Sequence, residues 1–107
     1  MFIEQFFNSF VGEYDVDYKQ KTSENGLSLY VYLAGVKKSD ISIGVNSNIL
    51  TVEAKDKVGY SNWKCQNSWR VGQGLDVDKI TSKYEDGVLE INIPKVKESN
   101  IRKIVVA

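Results

Sequence analysis

The chain has 107 residues, enough for one domain with short extensions and too few for two independent cores. Fourteen basic residues balance fourteen acidic ones, so the net charge of zero gives no electrostatic footprint for nucleic acid or an anionic membrane. With no histidine and one cysteine, Cys65, the commonest general base, the commonest metal ligand and any intrachain disulfide are excluded together.

The chain opens on a segment of separate character. Ile3, Phe6, Phe7, Phe10 and Val11 recur at helical spacing, with Phe2 ahead of them and Glu4, Gln5, Asn8 and Ser9 between. About eleven residues make too short a helix to stand alone, so this arm (residues 1–13) needs a surface to lie on. One reading packs it on its own domain. The other makes Phe2, Phe6, Phe7 and Phe10 a sticky element for partner subunits or client proteins. The segment lacks the basic start of a secretory signal and carries Glu4 early. No apolar run approaches the ~20 residues of a membrane span, so a cytoplasmic location is expected.

From Gly12 the period changes to two. Tyr14, Val16 and Tyr18 alternate with Asp15, Asp17 and Lys19, predicting a strand. Glu24-Asn25-Gly26 is a turn signal, and Leu27, Leu29, Val31 and Leu33 then alternate with Ser28, Tyr30 and Tyr32. Ala34 to Asp40 breaks the pattern. Ile41, Ile43 and Val45 form the next strand, Asn46-Ser47-Asn48 turns, and Leu50, Val52 and Ala54 form another. A polar loop covers Asp56 to Asn62. Trp63, Cys65, Asn67, Trp69 and Val71 then share a face, and Gly72-Gln73-Gly74 ends that strand. A short strand from Ile80 to Tyr84 leads to the turn Glu85-Asp86-Gly87, after which Leu89, Ile91 and Ile93 face one way. Pro94 stops the pairing because it cannot donate to a ladder. A charged stretch, Lys95 to Arg102, is expected to stay solvated and flexible before the apolar patch Ile104-Val105-Val106. Short strands separated by turns about every 8–12 residues predict an all-β antiparallel immunoglobulin-like sandwich over residues 14–95, with a tail over 96–107.

The order of these pieces resembles the α-crystallin domain of small heat-shock proteins, from about Tyr14 to Val106. Ile80-Thr-Ser-Lys-Tyr-Glu-Asp-Gly-Val-Leu89 is similar to the family's A-x-x-x-n-G-V-L signature, with Ser82 for alanine and Asp86 for asparagine. Gly87, Val88 and Leu89 carry that resemblance. Leu33 to Ile41 resembles L-P-G-V-k-k-e-D-I, with Ala34 for proline, and Asn48 to Ala54 resembles n-x-L-x-I-x-g. Arg102 to Val106 looks like the C-terminal I-x-I/V motif. Where the family has F-x-R-x-F-x-L-P, this chain has Cys65 to Gly72, which puts Asn67 at the interface arginine and removes Leu-Pro. The preceding loop is shorter than in plant and bacterial relatives, so the mode of dimerisation is left open.

The resemblance implies a chaperone that binds unfolding proteins without ATP and assembles with copies of itself, needing no cofactor. It also implies that Ile104 and Val106 insert into a groove on a neighbouring subunit, lined here by Ile43, Val45, Ile80 and Ser82. Two alternatives stand beside it: an assembly or scaffold sandwich, including a viral one, and a CS-type co-chaperone of the same fold.

Catalytic readings fare poorly. Cys65 has no histidine to activate it and reads as a small core residue. The carboxylate pairs Asp15/Asp17, Asp76/Asp78 and Glu85/Asp86 read as solvated strand faces and turns. Lys37-Lys38 is too small a basic spot for phosphate readout, and Gly72-Gln73-Gly74 precedes no helical pattern. Tyr30, Tyr32, Trp63 and Trp69 raise a sugar-stacking surface, against which the inward register of both tryptophans argues.

Overall fold

Alternating apolar residues need two sheets to bury their common face, and the chain supplies them. A computed structural model describes residues 13–14, 16–97 and 105–106. Among the described residues, eight strands form two four-stranded sheets. The first has the order β1 (Glu13–Tyr14), β6 (Lys64–Arg70), β5 (Ile49–Lys55) and β4 (Ile41–Asn46). The second has the order β2 (Tyr18–Ser23), β3 (Gly26–Tyr32), β8 (Val88–Pro94) and β7 (Thr81–Glu85). The sandwich is antiparallel except for the two-residue pairing of β1 with β6, which is parallel.

Register explains the core. Leu29 pairs with Ile91 and Val31 with Leu89 in one sheet, while Leu50 pairs with Trp69 and Ala54 with Cys65 in the other. Directly paired residues point to the same face, so these rows meet between the sheets. Val31, Val52 and Ile91 are fully buried, and Trp63, Cys65 and Val71 are buried beside them. No polar or charged residue is buried among the described residues.

Two expectations are corrected. Tyr14, Val16 and Tyr18 do not form one strand. Tyr14 belongs to the first sheet and Tyr18 to the second, and the chain crosses between them at Val16, which is buried. Alternation records which residues point inward but not which sheet they join. The stretch after Pro94 is also less free than expected. The Lys95 amide donates to the Asn25 carbonyl at 3.0 Å and that of Val96 to the Gly74 carbonyl at 2.8 Å. Charged side chains here sit on a paired backbone.

Two glycines are required by geometry. Gly26 opens β3 with φ 143°, and a side chain there would collide with the Ile93 carbonyl. Gly87 follows Asp86 in the β7–β8 hairpin, with φ 80° and 53° respectively. Two consecutive positive φ values are what a two-residue hairpin demands, and Asp-Gly meets that demand.

Candidate functional site

The two sheets do not close along one side. The Tyr18 and Trp69 rings meet edge to face at 5.1 Å, which places the β2 edge of one sheet against β6 of the other. With the strand orders above, the opposite edges, β4 and β7, face each other. Both are edge strands with one side of the backbone unpaired among the described residues, which makes them templates for an added strand.

Register shows that this edge is open. Ile43 pairs with Val52 and Val45 with Leu50, so both point between the sheets. Ser82 pairs with Ile91 and likewise points inward. Their partners are buried, yet Val45 is 40% exposed and Ser82 is exposed. Ile43 and Ile80 are half-buried and pack against the core from the same side. Inward-pointing Val45 and Ser82 are thus left in water at this edge, on strands whose outer backbone side is unpaired among the described residues.

The turn that follows β7 is fixed from several directions. The Leu33 amide donates to the Gly87 carbonyl at 2.7 Å. A Cβ on Gly87 would stand 3.0 Å from Ala34 Cα, so the hairpin and the β3–β4 connection meet too closely for a side chain. Leu89 is buried, while Val88 points to the outer face opposite Tyr32. The Tyr84 hydroxyl donates toward two carbonyl oxygens, of Leu33 at 2.6 Å and Val36 at 2.8 Å. Burial pushes this phenol above its ordinary pKa, outweighing the opposing effect of the Val36 bond. Sequence reasoning missed Tyr84; its one signal was an inward position two residues beyond Ser82.

The other expected site residues are scattered. Phe2, Phe6, Phe7, Phe10 and Ile104 lie outside the described residues. Val105 and Val106 are described, and both are exposed. Asp76 accepts from the Asp78 amide at 3.1 Å, a turn-capping role. Lys83 and Glu85 form an exposed ion pair at 3.9 Å. No group of three or more potential metal-ligating side chains occurs among the described residues. Tyr30 and Tyr32 sit on the outer face, where Tyr30 is half-buried beside Lys19 and Glu90.

The comparisons with known proteins agree with this architecture. The small heat shock protein C2 of Rickettsia felis is 30% identical over 96% of this chain and 80% of its own length. The small heat shock protein C4 of the same organism is 25% identical over 99% and 81%. A small heat-shock protein from Xylella fastidiosa, described as having a distinct high order structure, superposes with a TM-score of 0.77 at 23% identity, covering 89% of this chain and 98% of that one. The model of the Hsp20/alpha crystallin family matches residues 19–107, and the chain therefore belongs to that family of small heat-shock proteins.

Proposed function

We propose that this protein is an ATP-independent holdase: it assembles with copies of itself and binds unfolding proteins before they aggregate. The observation that carries the reading is the open β4–β7 edge, where inward-pointing Val45 and Ser82 remain in water and can line a groove. Apolar burial is non-directional, and strand addition at an open edge uses only backbone groups, so both tolerate many client sequences.

The groove also has a natural occupant within the chain. Laid extended, the tail would present Ile104 and Val106 on one face and Val105 on the other, by the period-two alternation of strands. Burying both side chains contributes about 3–6 kcal/mol before ordering costs, so one tail is weak and many together hold an assembly that still exchanges subunits. Membership of the Hsp20 family supports this reading over a scaffold or a CS-type co-chaperone. The balanced charge and the absence of a membrane-length apolar helix among the described residues are compatible with an aqueous, client-facing role.

Heating an unrelated aggregation-prone protein with and without this chain, in the absence of nucleotide, tests the proposal. Turbidity should fall as the chain approaches stoichiometric amounts. Undiminished turbidity with the chain itself folded would leave the scaffold reading in its place.

A further inference from the structure

The sandwich is also open at its other edge. Gln20 pairs with Leu29 and Thr22 with Leu27, so β2 turns polar side chains toward the space between the sheets. Tyr18 meets Trp69 at this edge, and beside that contact a cleft of about 170 Å³ remains, walled by Leu27, Leu29, Leu50 and Trp69 with Gln20 and the exposed Arg70 also lining it. An apolar space of about 150 Å³ holds one benzene ring, so this cleft is sized for a single phenyl group.

We infer that the cleft receives Phe7 from the arm of a second copy of this chain. The inference rests on the holdase reading, in which the arm is an assembly element, and it names what that arm engages. Charge favours this occupant: Glu4 is the only charged side chain among residues 1–12, and Arg70 stands exposed at the rim. Residues three apart lie on one helix face, so seating Phe7 carries Glu4 toward Arg70.

Topology favours an intermolecular contact. Glu13 pairs with Lys64 and β1 runs parallel to β6, so the chain enters β1 at the end of β6 away from Trp69. Trp69 lies five residues further along, about 17 Å. The six residues from Phe7 to Glu13 span about 9 Å as helix, and they would have to turn back on themselves first. A helical arm would fall short of its own copy's cleft, and only a fully extended one of about 20 Å would approach it, whereas a neighbour's arm is free of that constraint.

Cysteine crosslinking in the full-length protein tests this. Cys65 is 2% exposed and stays out of the exchange, so it can remain in place. Copies carrying Asn8→Cys are mixed with copies carrying Gln20→Cys under mild oxidation. The expected result is an intermolecular disulfide forming at least tenfold faster than with Lys83→Cys, an exposed control on β7. Adding Phe7→Ser to the arm should abolish that advantage. Arg70→Glu should reduce it several-fold, and Glu4→Lys in the arm copy should restore it. Equal rates at Gln20→Cys and Lys83→Cys overturn the inference, as does no crosslink at either site. A disulfide that forms only when both cysteines share one chain overturns it as well. Turbidity suppression measured on the same samples separates the two claims, because intact suppression without the crosslink removes this contact and leaves the holdase reading standing.

Discussion

Replacing Val45 with arginine separates the role proposed for the β4–β7 edge in assembly from its part in the fold. Val45 is 40% exposed, so about three-fifths of its side chain is already out of water. Full burial of a valine is worth roughly 2 kcal/mol, so the fold loses about 1 kcal/mol. The long arginine stem can lie along the groove wall with its guanidinium in water, which avoids a buried charge. A domain of this size should therefore melt only about 4–8 °C lower. The tail fares worse. The new side chain fills the place proposed for Ile104 and Val106 and sets a positive charge beside Arg102 and Lys103. Most of the roughly 3–6 kcal/mol from burying the two tail side chains is then forfeited. Light scattering should show a folded dimer or smaller species in place of the larger assembly proposed for the parent. A variant that melts as expected yet keeps the parent's mass would refute the use of this groove.

Other substitutions probe the remaining joints. Gly87→Ala forces an L-residue to φ 80° and presses its Cβ to 3.0 Å from Ala34, so about 2–3 kcal/mol should be lost and the melting midpoint should fall by 10 °C or more. Tyr84→Phe removes the donor to the Leu33 and Val36 carbonyls at a cost of about 1–2 kcal/mol, read as a lower midpoint in thermal denaturation with the assembly's mass unchanged. Serine at Phe6, Phe7 and Phe10 together should shrink the assembly or abolish turbidity suppression while circular dichroism still reports a folded sandwich. Loss of the fold instead would assign the arm to the core.

The sequence was most readable where one face of a strand is fully buried. Leu29 and Val31, and Leu89, Ile91 and Ile93, keep strict period two because each inward position meets the opposite sheet. Strand β2 escaped notice for the converse reason: beyond Tyr18 its inward positions are Gln20, which lines the open cleft, and Thr22, and neither carries an apolar signal. The crossing at Val16 was hidden because alternation continues unbroken while the chain changes sheets. Ile43, Val45, Ile80 and Ser82 looked like ordinary strand residues, and a family resemblance alone suggested that they share a groove. What marks Val45 and Ser82 physically is the mismatch between inward register and exposure, which exists only once both sheets are assembled. Gly87 was legible from its Asp-Gly turn, but its close approach to Ala34 is a tertiary contact that no local pattern encodes.

The most direct test of the holdase account is to heat a client with this protein without nucleotide, pass the soluble fraction over a sizing column, and analyse what elutes. The account predicts a soluble complex larger than the chain's own assembly, containing client and chain in defined proportion. It further predicts that this complex is lost or sharply reduced when Phe6, Phe7 and Phe10 are serine. Client found wholly in the pellet, with the folded chain eluting alone at its usual position, would contradict it.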